Sequence, residues 1–147
     1  MTVNIQNTNS PPIISGLGTS LAFNENATSD VVTVNATDPD SGATVSYSLG
    51  GADAGALAIS SSGVITFNSP PDYETKNSYS ITVEASDGIE SSSQAITINI
   101  QDQNDAPVIS GLVSPISFDE NATSNLVTIN ASDEDTGDSL SYSLGGA

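Results

Sequence analysis

The chain repeats itself at an offset of 95 residues, counted from Pro12 to Pro107. Pro12-Ile13-Ile14-Ser15-Gly16-Leu17 returns as Pro107-Val108-Ile109-Ser110-Gly111-Leu112. Phe23-Asn24-Glu25-Asn26-Ala27-Thr28-Ser29 returns as Phe118-Asp119-Glu120-Asn121-Ala122-Thr123-Ser124, and Val45 to Ala52 returns as Leu140 to Ala147. Thr2-Val3-Asn4-Ile5-Gln6 has its twin in Thr97-Ile98-Asn99-Ile100-Gln101. A fixed period of this size identifies a window on a tandem array, in which neighbours complete each other's surfaces. The expected division is 1–10, the last strand and linker of a preceding unit; 11–105, a complete repeat; and 106–147, the N-terminal part of the next. The last segment is too short to bury a core of its own.

Within one unit, apolar and polar residues alternate. Val32, Val34 and Ala36 alternate with Thr33 and Asn35; Tyr79, Ile81, Val83 and Ala85 with Ser80, Thr82 and Glu84; Ile96, Ile98 and Ile100 with Thr97 and Asn99. That period places one face of each strand on a core and the other in water. Shorter strands are predicted from Ile13-Ile14 on to Phe23, and over Val45–Leu49, Leu57–Ile59 and Val64–Phe67. Turn clusters separate them: Asp38-Pro39-Asp40-Ser41-Gly42, Ser60-Ser61-Ser62-Gly63, Ser69-Pro70-Pro71-Asp72 and Ser86-Asp87-Gly88. The spacing predicts an all-β fold, a seven-strand Greek-key β-sandwich of immunoglobulin-like shape. The core registers account for Phe23, Tyr47, Phe67 and Tyr79; Tyr73 is expected to face solvent.

Eighteen acidic residues stand against one basic residue, Lys76, with no histidine and no cysteine, for a formal charge of -17. Phosphate backbones need a positive surface, so nucleic acid is excluded as a partner. No apolar run approaches membrane-spanning length, so direct membrane insertion is not expected. Without cysteine there is neither a disulfide framework nor thiol chemistry. No nucleophile–base pair is apparent, and an enzyme is not expected.

The carboxylates fall at strand ends. Glu25 precedes the second strand, Asp38 and Asp40 follow it, Asp72 and Glu74 lie in the loop after Phe67, Asp87 ends the sixth strand, and Asp102-Gln103-Asn104-Asp105 joins the next unit. In a seven-strand sandwich Glu25 and the Asp72–Glu74 loop reach the end where the chain leaves. Asp133 and Asp135, the copies of Asp38 and Asp40, face the same joint. Glu25, Asp72, Glu74, Asp102, Asp105, Asp133 and Asp135 are thus expected to converge there. Such a group repels itself unless cations bind it. Oxygen ligands without His or Cys select calcium over zinc or copper.

These motifs carry a family resemblance. Glu25-Asn26-Ala27, Asp38-Pro39-Asp40 (D-x-D), Asp72-Tyr73-Glu74 (D-R/Y-E), Ala85-Ser86-Asp87 (A-x-D) and Asp102-Gln103-Asn104-Asp105 (D-x-N-D) occur in family order. Together they make the chain similar to tandem cadherin-type repeats, in the version common in large bacterial surface proteins. The resemblance implies about three calcium ions per joint, with carboxylates shared between ions. It implies that Glu25, Asp72, Glu74 and Asp105 hold the outermost ion. Glu25, Glu74, Asp102, Asp105, Asp135 and the Gln103 carbonyl would hold the middle one. Asp133, Asp135, the Asn104 side chain and the Ala106 carbonyl would hold the third. The family's third ion also takes an A-x-D carboxylate from the second domain, a position beyond this sequence. At the other end, Asn7-Thr8-Asn9-Ser10 replaces Asp102-Gln103-Asn104-Asp105 and loses both carboxylates. Asn9, Asp38, Asp40 and Asp87 would hold one ion there, more weakly.

Other patterns fail on context. Asp40-Ser41-Gly42 and Asp135-Thr136-Gly137 resemble aspartic-protease loops, but they are one position in successive units rather than a facing pair. Asp38 to Leu49 fails as an EF-hand, with its glycine one position early and Leu49 at the twelfth place. Gly50-Gly51-Ala52-Asp53 lacks a second copy at β-roll spacing. The sequons at Asn26, Asn35, Asn121 and Asn130 are expected by chance in so Asn-, Ser- and Thr-rich a chain.

The expected function is a calcium-binding spacer of a long extracellular adhesin, rigidified by calcium at its joints. Its expected partners are neighbouring repeats of the same chain and, through other domains, cell-surface or matrix ligands. The alternative is a direct adhesive module, homophilic or glycan-binding. The absence of Trp and the few exposed aromatic faces weigh against it.

Overall fold

The computed structural model describes residues 1–147 apart from Val3, Ile5, Val113 and Ala147. The strand expected over residues 2–6 includes Val3 and Ile5, and the repeat copy 140–147 ends at Ala147; these positions lie outside the described residues. The chain divides into two compact units, Met1–Gln103 and Asn104–Ala147.

In the first unit the alternating segments form strands β1 (Ile13–Ser15), β2 (Ser20–Asn24), β3 (Val32–Thr33), β4 (Asn35–Thr37), β5 (Ser46–Gly50), β6 (Leu57–Ile59), β7 (Val64–Phe67), β8 (Ser78–Ser86) and β9 (Ser91–Gln101). A 3₁₀ turn, Ala54–Ala56, leads into β6. One sheet has the order β2-β9-β8-β5; the other layer contains β3-β7-β6 and the pair β1-β4. Two of the expected strands are divided. Gly16, at φ 69°, breaks the first, so that β1 pairs antiparallel with β4 while β2 pairs parallel with β9. Val34 interrupts the second, yet its N–H still reaches the Gly63 carbonyl at 2.8 Å. Alternation reports which face a residue presents, not which neighbour its strand pairs with.

The inward faces supply the core: Phe23, Val34, Leu57, Ile65, Ile81, Val83, Ile96, Ile98 and Ile100. Each such side chain contributes about 1.5–3 kcal/mol relative to exposure. Phe67 bridges Phe23 and Tyr79 with ring centroids 5.4 and 4.9 Å away. The Tyr47 hydroxyl accepts the Ala36 N–H at 3.1 Å. Tyr73 corrects an expectation: it is half-buried and packs against the core rather than facing solvent. The loop after β7 folds back over the sandwich, so its aromatic ring finds apolar surface without being in a strand. Lys76 pairs with Asp53, whose other oxygen accepts the Ser80 N–H at 2.7 Å.

Strand direction sorts the loops between two ends. β2 and β9 run parallel and finish together, Asn24 beside Gln101, and β8 begins beside the close of β9, Ser78 opposite Asn99. Residues 25–26, 71–77 and 102–103 therefore share one end. The β8–β9 turn, the residues after β4 and those before β1 share the other.

The second unit reproduces the first locally. β10 (Val108–Ser110) and β11 (Asn130–Ser132) pair in the register of β1 and β4, with Ile109 opposite Ala131 as Ile14 is opposite Ala36. Asn121 adopts φ 62° where Asn26 has 58°. Among the described residues of 104–147, β10 and β11 are the strands that form. Phe118 is 47% exposed against 7% for Phe23.

Candidate metal centre

Glu25 anchors the end of the first unit where the chain leaves. It follows β2 directly, and its own N–H extends the parallel ladder to the Gln101 carbonyl at 3.1 Å. Its side chain is 3% exposed, the sole charged residue in the buried class among the described residues. One carboxylate oxygen accepts the Tyr73 N–H at 2.9 Å and the other accepts the Gln103 N–H at 2.6 Å. Such bonds offset the desolvation of a buried charge. Glu25, Glu74 and Asp102 each bring a carboxylate oxygen into one group, all within 4.8 Å of one another.

Asp72 opens the same loop. Its two oxygens accept the Thr75 N–H at 2.9 Å and the Thr75 hydroxyl at 2.8 Å. The Thr75 N–H and then its hydroxyl hold this carboxyl below the usual aspartate range. Gln103 turns its side-chain amide onto the Asp102 carbonyl.

At the opposite end, Asn9 donates to Asp87 Oδ2 at 2.8 Å and to Glu90 Oε2 at 3.4 Å. Asp87 Oδ1 accepts the N–H groups of Ile89 and Glu90, each at 2.7 Å. The Glu90 N–H first, then those of Ile89 and the Asn9 amide, keep the Asp87 carboxyl below its ordinary range. Asp40 accepts the Asn7 amide at 2.8 Å and the Ser10 N–H at 2.7 Å, and its own N–H donates to Asp38 Oδ1 at 2.8 Å. Asp38 Oδ2 is buried and has no hydrogen-bond partner among the described residues. A buried carboxylate oxygen without a donor is the kind of group an ion or water satisfies.

The second unit repeats this arrangement. Asp105 donates its N–H to Asp135 Oδ2 at 2.7 Å, as Ser10 does to Asp40, and Asp135 donates to Asp133 Oδ1 at 3.1 Å. Asn104 turns its amide to the Asp105 carbonyl at 2.6 Å. Ala106 lies in the irregular stretch before β10. Asp138 joins Asp133 and Asp135, with carboxylate oxygens within 4.8 Å of one another.

The donor chemistry fits a hard divalent cation. The Glu25–Glu74–Asp102 group contains only oxygen, and its 4.8 Å limit is about twice a calcium–oxygen distance, so one ion can sit among all three. Sequence reasoning missed two neighbours. Glu90 arrives through the tight turn that Asp87 nucleates. Asp138 stands where the first repeat has Ala43, so a position-by-position comparison of the copies contained the signal.

The profile of the Cadherin domain family matches residues 19–101. Cadherin EGF LAG seven-pass G-type receptor 1 of Mus musculus is 37% identical over 127 residues, covering 80% of this chain and 4% of that protein. Putative neural-cadherin 2 of Drosophila melanogaster is 35% identical over 104 residues, 68% of this chain and 6% of that one. Among solved structures, human CDH23 EC21-23 superposes with a TM-score of 0.66 at 26% identity, covering 91% of this chain and 47% of that chain. Human Protocadherin-24 EC1-2, form II, gives a TM-score of 0.64 at 25% identity, with 88% and 64% covered. The chain thus spans a small part of the curated relatives it matches.

Proposed function

Because this chain belongs to the cadherin domain family, a family of extracellular adhesion-type modules, we propose that it is a calcium-binding spacer of a long extracellular adhesin, of the kind found in large bacterial surface proteins. Residues 11–105 are its complete repeat, 1–10 the close of a preceding one and 106–147 the opening of the next. Calcium supplies positive charge where carboxylates crowd. Glu25, Asp72, Glu74, Asp102 and the Gln103 carbonyl are the ligands from the first repeat and its exit. Asn104, Asp105, the Ala106 carbonyl, Asp133 and Asp135 are those from the linker and the second. Ligands drawn from successive repeats would make each ion a cross-link that stiffens the array. Asn9, Asp38, Asp40 and Asp87 form the weaker site at the other end.

The observation that carries this reading is the Glu25–Glu74–Asp102 group, three carboxylates within 4.8 Å with no basic side chain among them. Without a cation, such a group stores repulsion. The partners follow from the role: neighbouring repeats of the same chain and, through other domains, cell-surface or matrix ligands. Millimolar calcium should raise the melting temperature and lengthen the maximum dimension in small-angle scattering, and a chelator should reverse both. A protein whose stability and dimensions ignore calcium would not be a calcium-stiffened spacer. No helix among the described residues is long and apolar enough to cross a membrane.

A further inference from the structure

Glu25 does more at this end than lend an oxygen to an ion. Its two carboxylate oxygens are committed to backbone N–H groups from two segments far apart in sequence, Tyr73 in the loop before β8 and Gln103 after β9. Beside it, the Asn26 N–H reaches the Pro71 carbonyl at 2.9 Å, so the same turn grips the loop twice. The turn depends on Asn26 at φ 58°, a left-handed conformation that asparagine tolerates better than most side chains. The protein's lysine is engaged with Asp53 and offers Glu25 no ion pair. The buried charge therefore relies on these N–H donors, and charge-assisted bonds of this type are about twice as strong as neutral ones.

We infer that Glu25 is a positioning residue: its carboxylate clamps the 71–75 loop to the exit segment at Gln103 and keeps this end of the first unit in shape when calcium is withdrawn. The inference rests on the calcium reading only for the role of the end it organises. Glu74 and Asp102 stand on the two segments that the clamp ties together. Glu25 thus sets the spacing of the other two carboxylates in its group. Calcium then meets a rim already formed, and less of its binding free energy goes into ordering the loop.

The test is amide hydrogen exchange by NMR on the full chain in excess chelator, together with calcium titrations. In the wild type the Tyr73 and Gln103 amides exchange slowly without calcium. Glu25→Ala speeds both by at least about tenfold, the loss of one hydrogen bond each, while Ile98 in β9 stays protected. Glu25→Gln keeps an acceptor oxygen and restores protection at one of the two amides, yet calcium affinity stays reduced. That split separates the clamp, which needs an acceptor oxygen, from ligation, which needs the negative charge. Asp102→Asn leaves both amides protected and weakens calcium binding. Fast exchange of Tyr73 and Gln103 in the chelated wild type overturns the inference, and that measurement stands even where Glu25→Ala unfolds the protein. Protected amides in a wild type that shows no saturable calcium uptake would overturn the calcium reading and leave the clamp in place.

Discussion

Gln103 donates its backbone N–H to Glu25 Oε1 across 2.6 Å, although 78 residues separate them in sequence. The bond joins the end of β2 to the end of β9. It is available because those strands run parallel and finish side by side. Glu74 and Asp102, the other two carboxylates of the group, sit on segments the same residue holds. Fold and candidate metal chemistry therefore meet at one buried side chain.

The core prediction concerns Ile98, which is fully buried between the layers. Ile98→Ala should lower unfolding free energy by about 2–5 kcal/mol in urea denaturation, the range for large-to-small core changes. A loss below about 1 kcal/mol would contradict the packing described here.

Two glycines separate backbone strain from steric overlap. Gly63 has φ 83°, and a Cβ there would lie 2.4 Å from the Val34 carbonyl oxygen. Gly88 has φ 92° with open space around it. Gly88→Ala should cost about 1–2 kcal/mol, the left-handed penalty alone. Gly63→Ala should cost about 2–5 kcal/mol because overlap adds to it. Equal losses in thermal or urea melts would contradict the Val34–Gly63 contact.

The Asp53 carboxyl is held below its ordinary range, first by the Lys76 ammonium and then by the Ser80 N–H. A carboxyl with a lowered folded pKa stabilises the fold fully above its unfolded pKa of about 3.9 and loses that contribution as pH falls through the folded value. Asp53→Asn should therefore reduce the urea midpoint at neutral pH, by less than a core substitution does. The gap from wild type should close toward about pH 2. A gap independent of pH would mean the ion pair contributes nothing through Asp53's charge.

Much of this was legible in the sequence, and the exceptions have physical causes. The alternation at Ile81–Ala85 and Ile96–Ile100 gave strands β8 and β9 and their buried faces, because period two is a property of the backbone. It could not reveal that Val32–Thr37 splits between β3 and β4, since Val34 keeps the alternation intact across the break. Tyr73 departs from its expected exposure because loop residues pack by chain path rather than by period. Glu25 was recognisable as a candidate ligand. Its clamp on Tyr73 and Gln103 was not, because that depends on which strand ends coincide. Asp138 lies outside the motifs the two copies share, because it is a difference between them, aligned with Ala43.

Charge at the candidate centre gives another prediction. Glu74→Gln and Asp102→Asn each remove one negative charge from the Glu25 group while keeping side-chain size. In chelator each should melt at or slightly above the wild-type temperature, because repulsion is relieved. In millimolar calcium each should melt below it. Variants that lose stability equally in both conditions would show that these carboxylates serve the fold rather than an ion.

The most direct measurement is isothermal titration of calcium into the chelator-stripped chain, with the Glu74→Gln/Asp102→Asn double variant alongside. Saturable uptake by the wild type, weakened at least about tenfold in the variant, is the predicted result; tenfold corresponds to about 1.4 kcal/mol. No saturable uptake by the wild type, or identical isotherms for the two proteins, would contradict a calcium centre built on Glu25, Glu74 and Asp102.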